Sequence, residues 1–284
     1  MIGLVGIGNM GLAMALRLRD SGHAVGVRDV DPAAEARARA KGLVVFDTPA
    51  TLAQASELVI VAVVDGAQTQ AVLFGPDGVA IGLAPGGAVL LCPTISPEDV
   101  EAAATGLAER GLVALDAPMS GGPARARDGS MSLMVACDDT AWARWQPLVA
   151  QLASRLFRVG TRPGDGARTK LVNNLLAAVN LAGAAEVLRL AEALGLDAAR
   201  TLDVIEQSSG QSWIASDRAR RVLAGDPTPR AHMRLLAKDA ALALAAAQRA
   251  GLSLPVGQHA AEAFQQACRR GLDGADDSAL WRAP

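Results

Sequence analysis

Cysteine, histidine and aromatic residues are all scarce in this 284-residue chain, which has three cysteines, three histidines and only 3% aromatics. Cys92, Cys137 and Cys268 are far apart, odd in number and outside any CxxC pair. Neither a disulfide framework nor a metal site is expected, and a reducing compartment suits the pattern. Each cysteine reads as a small packed apolar residue. Charge of one sign is also missing: the formal net charge is −2, and no run of Lys and Arg interleaves with aromatics. Nothing therefore points to a nucleic-acid partner. The opening "MIGLVGIGNMG" has no basic n-region and breaks at Gly8 and Asn9. With no charge-free apolar run of roughly 18 residues either, we expect a cytoplasmic protein with no membrane partner.

What is abundant is apolar surface. A 51% hydrophobic content supplies a core for one large domain or two ordinary ones. Short apolar runs at 2–7, 23–29, 58–63, 88–93 and about 112–118 alternate with Ala-rich helical stretches such as 10–21 and 32–41. That cadence predicts an α/β fold, an N-terminal doubly wound and mostly parallel sheet. The pattern breaks at "GTRPGDGARTK" (160–170), and only helical periodicity follows, over 166–194, 198–208, 212–224, 230–250 and 255–271. We place a boundary there, with a domain at 1–162, an all-α domain at 163–284 and a long interdomain helix that Gly195 ends.

Gly6, Gly8 and Gly11 stand in GxGxxG spacing after a predicted strand and at the start of a predicted helix. The first permits a tight turn, the second lets backbone approach a pyrophosphate, and the third lets helix and strand pack. The helix near Asn9 and Met10 would point free N–H groups at the phosphates. Asp29 ends the next strand, about 20 residues on, where a carboxylate accepts ribose hydroxyls and repels a 2′-phosphate. The implied cofactor is NAD. Arg28 is the complication, since a guanidinium curling towards the ribose would admit NADP.

In "GARTKLVNNLLAAVN" (166–180) a lysine and three asparagines interrupt an apolar helix. Polar groups in such surroundings cost free energy unless partnered. Lys170 and Asn174 share a face one turn apart, with Asn173 turned away. An interdomain ion pair would explain the lysine, and so would a proton-transfer role beside a dinucleotide. A second polar segment, "DAPMSGGPARARDGSMSLMV" (116–135), offers the Ser120 hydroxyl and the bare backbone of Gly121 and Gly122 for a carboxylate.

These motifs, with "KDAALALAAAQRAGLSLPV" (238–256), occur in the order and spacing of the β-hydroxyacid dehydrogenases. The chain resembles that group, which contains 3-hydroxyisobutyrate dehydrogenase and tartronate semialdehyde reductase, over nearly its whole length. "VLFGPDGVA" (72–80), "SSGQSWIASDRARRVLAGDPTPR" (208–230) and "DGADDSA" (273–279) are most similar to its L-threonate dehydrogenase branch. The resemblance implies that Lys170 is the acid/base group and that Asn174 with Ser120, Gly121 and Gly122 binds a small hydroxy acid. It also places Lys238 at the nicotinamide end of the cleft, with Asp239 next to it in sequence but turned about 100° round the helix. Val63, Val64 and Thr94 are carried over as cofactor contacts, although "LLCPTISP" departs from the family's strand end and keeps only Thr94.

Ser212 and Trp213 are assigned to the border of the substrate cleft or to packing, Trp142 and Trp145 to packing or an interface. The expected activity is hydride transfer between a short hydroxy acid and NAD, with NADP as the alternative. An imine reductase shares the architecture but usually lacks the lysine, and a non-catalytic NAD(H)-binding protein would have no use for the Ser120, Lys170 and Asn174 set. The all-α domain is too small to cover every apolar face of its long helix, which predicts a homodimer or homotetramer.

Overall fold

A computed structural model describes residues 1–226 and 228–283. Two compact units result, Met1–Lys170 and Leu171–Pro284.

The first unit alternates strand and helix: β1 (Ile2–Val5), α1 (Asn9–Asp20), β2 (Val25–Arg28), α2 (Pro32–Ala40), β3 (Val44–Val45), α3 (Pro49–Gln54), β4 (Leu58–Val61), α4 (Gly66–Phe74) and α5 (Val79–Gly82). It continues through β5 (Ala88–Leu91), α6 (Pro97–Ala108), β6 (Val113–Asp116), β7 (Met119–Ser120), α7 (Gly122–Asp128), β8 (Met131–Ala136), α8 (Asp139–Val149) and β9 (Ala153–Gly160). Strands β3-β2-β1-β4-β5-β6 run parallel in that spatial order. β1, β4 and β5 are buried along their whole length, as strands covered by helices on both faces must be. Two cores follow, one built on Leu4, Met14, Leu18 and Ile60 and the other on Leu52, Val59, Leu73 and Val89.

The parallel sheet is as the sequence predicts, and its far edge is not. β8 pairs antiparallel with β6 and β7, and β9 adds to β8 in parallel with register shifts. In sequence "ASRLFRVG" lacks the continuous Val/Ile/Leu run of the central strands because β9 is exposed along much of its length, and in "SMSLMVA" methionine and serine break that run although β8 is buried.

The second unit is helical: α9 (Asp165–Ala193), which begins in the first unit, then α10 (Ala198–Glu206), α11 (Trp213–Leu223), α12 (Met233–Arg249) and α13 (Pro255–Ala267). A π-helical turn at Cys268–Leu272 and a 3-10 helix at Asp277–Arg282 complete it. Gly195 lies at φ +75°, the left-handed geometry expected where α9 ends. Ala178, Leu181, Ala185 and Leu188 form the buried stripe of α9, packed with Leu236, Phe264 and Trp281. Arg218 grips Asp277 through Nε–Oδ1 (2.6 Å) and Nη2–Oδ2 (3.2 Å), and Arg221 Nη2 meets Asp276 Oδ1 at 2.8 Å, tying the C-terminal segment to α11.

A second stripe on α9 is apolar and exposed, with Val172, Leu176, Val187 and Leu190. By length and composition α9 is apolar enough to cross a membrane, with a mean hydropathy of 1.5 over its most apolar 18 residues. Lys170, Asn173, Asn174, Asn180 and Glu186 nevertheless interrupt it.

Candidate active site

The first site element is the turn after β1. Gly6 adopts φ +89°, and a Cβ there would strike the Ala62 carbonyl oxygen at 2.7 Å. At Gly11 a Cβ would fall 1.9 Å from the Gly6 oxygen, so only glycine lets α1 lie so close to the strand end. Gly8 is different: no protein atom lies within 4 Å of the position its Cβ would take. Of the three glycines of this turn, Gly8 alone has open space where a side chain would stand.

Helix capping marks the same place. Asp31, Thr48, Asp65, Ser96 and Asp138 cap α2, α3, α4, α6 and α8 with their side chains. In the first unit α1, α5 and α7 start without such a cap, as α11, α12 and α13 do in the second. Two of these follow the glycines singled out in sequence, Gly8 and Gly121, so no N-cap side chain covers the first N–H groups of α1 and α7. Asn9 is exposed and Met10 half-buried on that first turn.

Asp29 sits beside this turn because β2 pairs with β1. Its Oδ2 accepts the Ile7 N–H at 2.6 Å and its Oδ1 the Asp31 N–H at 2.9 Å. Each carboxylate oxygen keeps a lone pair for a ligand hydroxyl. Val63 and Val64 follow β4, and Thr94 follows β5, so all these residues stand at the carboxyl ends of adjacent parallel strands. Open α/β sheets bind ligands at that edge, where strand order reverses. The Val64 N–H is donated to Gln68 Oε1 at 3.0 Å, which leaves its carbonyl and its exposed side chain for contact.

Ser120 ends β7, and Gly121 and Gly122 follow at φ +131° and +77°, backbone that side-chain-bearing residues rarely adopt. Asp116, at the end of β6, is the residue sequence reasoning passed over. It is 1% exposed, and its Oδ2 accepts the N–H groups of Gly164 (2.8 Å) and Ala167 (3.0 Å) at the start of α9. Burial pushes its carboxyl up to about 6, against those N–H groups and that of Gly166, which pull it down, and nearby Asp165 adds to the rise. The signal was present in "DAP", but a contact spanning 48 residues has no local signature.

Lys170 is 7% exposed on α9, and Asn174 follows one turn on. Within the second unit Asn174 Nδ2 donates to Asp239 Oδ2 at 2.6 Å, and Lys238 Nζ lies 2.8 Å from Asp239 Oδ1. Asn173, exposed, donates to Asn174 Oδ1 at 3.1 Å. Adjacent residues on α12 thus act together, contrary to the expectation from their angular separation, because the long lysine side chain curls back to the carboxylate beside it.

Trp213 is half-exposed, while Trp145 is buried and Trp142 packs on the same core. The three histidines are engaged peripherally: His23 with Gln151, His232 with the Gly274 carbonyl, His259 beside Glu262. Cys92 and Cys137 are buried and Cys268 half-buried, none in a disulfide, and no cluster of metal-ligating side chains occurs among the described residues.

A glycine turn open at Gly8, an uncapped helix and a carboxylate on the next strand are the features of a dinucleotide-binding protein. Comparison with known proteins carries this to a family. Residues 1–160 match the NAD binding domain of 6-phosphogluconate dehydrogenase, and residues 164–283 match the NAD-binding domain of NADP-dependent 3-hydroxyisobutyrate dehydrogenase. An L-threonate dehydrogenase of Cupriavidus necator is 37% identical over 98% of this chain and 94% of that protein. A 3-hydroxyisobutyrate dehydrogenase of Pseudomonas aeruginosa is 33% identical over 99% and 98%. The crystal structure of a 3-hydroxyisobutyrate dehydrogenase from Salmonella typhimurium, 34% identical, superposes with a TM-score of 0.91, covering 99% of this chain and 98% of that one. The chain belongs to the 3-hydroxyisobutyrate dehydrogenase-related β-hydroxyacid dehydrogenases, NAD(P)-dependent enzymes acting on small hydroxy acids.

Proposed function

We propose that this enzyme oxidises L-threonate with NAD. The observation that carries the reading is the placement of Lys170 and Asn174 one turn apart on α9, in a chain 37% identical to an L-threonate dehydrogenase. Residues 1–162 are read as the dinucleotide-binding domain, which also lends Ser120–Gly122 to the substrate, and residues 163–284 as the substrate and oligomerisation domain, which lends Lys238 to the cofactor.

In this reading Gly6, Gly8, Asn9, Met10 and Gly11 hold the pyrophosphate, Asp29 the adenosine ribose, and Val63, Val64, Thr94 and Lys238 the remaining cofactor surface. Ser120, Gly121 and Gly122 hold the substrate carboxylate with N–H groups and a hydroxyl. Asn174, held through its amide by Asp239, turns a polar edge to the substrate. Lys170, in its amine form, accepts the proton of the reacting hydroxyl, while the hydride leaves the carbinol carbon and a carbonyl forms. The bound nicotinamide supplies the acceptor for that hydride. Confining reactants in one geometry supplies much of the rate.

The exposed stripe of Val172, Leu176, Val187 and Leu190 supports a homodimer or homotetramer, since so much contiguous apolar surface is rare on a monomer. The reading locates the enzyme in the cytoplasm, where thiols stay reduced.

The test is appearance of reduced nicotinamide when purified protein meets NAD or NADP with L-threonate, D-glycerate, L-serine or 3-hydroxyisobutyrate, beside Lys170→Ala. Turnover of L-threonate that disappears in the variant while NAD still binds is the expected result. Preference for 3-hydroxyisobutyrate would replace the substrate, and no turnover of any acid would remove the substrate assignment.

A further inference from the structure

Asp29 has a neighbour whose charge is held back. Arg28, the last residue of β2, points its Nη1 at Glu35 Oε1, 2.5 Å away on the first turn of α2. The same oxygen lies 3.4 Å from the Asp29 N–H, and Glu35 Oε2 lies 3.3 Å from Arg39 Nη2. Glu35 is 8% exposed, so this carboxylate is committed to its cationic partners rather than to water. Burial by itself would raise its affinity for a proton, but the Arg28 guanidinium and the Asp29 N–H outweigh that and hold it below the usual carboxylate range.

Arg28 is fastened at only part of its guanidinium. Its Nε–H is buried with no hydrogen-bond acceptor, so the side chain still has an unspent donor. Arginine presents donors in a planar fork suited to two phosphate oxygens. Turned to Glu35, that fork is unavailable to an anion beside Asp29. In this fold the carboxyl end of β2 receives the adenosine ribose, where NADP differs from NAD by a 2′-phosphate.

We propose that Glu35 is a specificity-determining residue, which keeps the Arg28 guanidinium from a 2′-phosphate and so gives NAD preference over NADP. Two carboxylates then act at the ribose end by different routes. Asp29 repels the phosphate directly, whereas Glu35 withholds the cation that would offset the repulsion. The proposal rests on the assignment of the Gly6–Gly11 turn and Asp29 to the dinucleotide.

The test is calorimetric titration of the whole chain with NAD+ and NADP+, without substrate, for wild type, Glu35→Ala, Glu35→Gln, Arg28→Gln and the double variant Arg28→Gln/Glu35→Ala. Glu35→Ala should tighten NADP+ relative to NAD+ by roughly tenfold, the scale of one charge-assisted hydrogen bond released to the ligand. Arg28→Gln alone should leave the NADP+ to NAD+ ratio unchanged, and in the double variant it should abolish the gain. Glu35→Gln, which keeps the size of the side chain, decides the matter if Glu35→Ala melts early. An unchanged ratio in the Glu35 variants, or a gain that persists without Arg28, would overturn the proposal. A wild type that binds neither nucleotide would fail at the earlier step, the cofactor assignment itself.

Discussion

The Asp239 carboxylate holds two site residues at once, taking Asn174 Nδ2 at 2.6 Å on one oxygen and Lys238 Nζ at 2.8 Å on the other. Its burial makes this a costly contact to break. Asp239→Ala leaves the Asn174 amide without its anchor and Lys238 without its counter-charge. A charged hydrogen bond of about 1.5–3 kcal/mol is lost, so kcat/KM for the hydroxy acid should fall roughly ten- to a hundredfold. Asp239→Asn, which still accepts from Asn174, should recover part of it. Steady-state kinetics on both variants check this, and equal activity in all three proteins would contradict it.

The glycine turn separates binding from folding at residues three apart. Gly8→Ala places its Cβ in space the protein does not fill, so the thermal midpoint should stay within a few degrees while NAD affinity drops. Gly11→Ala drives a methyl to 1.9 Å from the Gly6 oxygen and should destabilise by about 1–3 kcal/mol, the cost of overpacking. Melting curves with and without NAD distinguish the two.

Lys170→Ala should cut kcat by about 10²–10⁴, the usual contribution of a positioned acid or base. NAD binding, which depends on the glycine turn, should persist. A variant with wild-type kcat would move the proton transfer elsewhere.

Asp116 predicts a pH signature in stability. Its folded-state value near 6 exceeds the ordinary 3.8, so between these the native chain binds this proton more tightly than the unfolded chain. The contribution of Asp116 to stability therefore declines as pH rises from about 4 to 6 and then levels off. Asp116→Asn should remove that slope. Unfolding free energies of both proteins across the window give the comparison, and parallel curves would show that the carboxyl does not titrate there.

The exposed stripe on α9 predicts self-association. Leu176→Glu and Leu190→Glu place charge on that face, 60% and 56% exposed within one chain, and should shift sedimentation towards the monomer. Unchanged sedimentation of the pair would move the interface elsewhere.

The parallel sheet, the glycine turn and the helical second half were legible in the sequence, because periodicity, glycine spacing and apolar runs are local consequences of burial. Gly6, Gly11 and Asp29 stand where spacing implied, since β1, α1 and β2 are consecutive and short turns leave few alternatives. The antiparallel edge formed by β7 and β8 with β9 beyond was not legible, because β7 has only two residues, β9 is largely exposed and carries mixed residues, and β8, though buried, is built on Met and Ser as much as on Leu and Val.

The sequence by itself determined which residues lie on one strand end or one helix face, and the family to which they correspond. Tertiary structure alone decided the partners: Asp116 with the start of α9, Asp239 with Asn174, and Glu35 with Arg28. The last spans only seven residues, yet even there a strand end and a helix turn must fold back on each other before the charges meet. Charge pairs are chosen by distance in space, and distance in space is what a linear pattern does not contain.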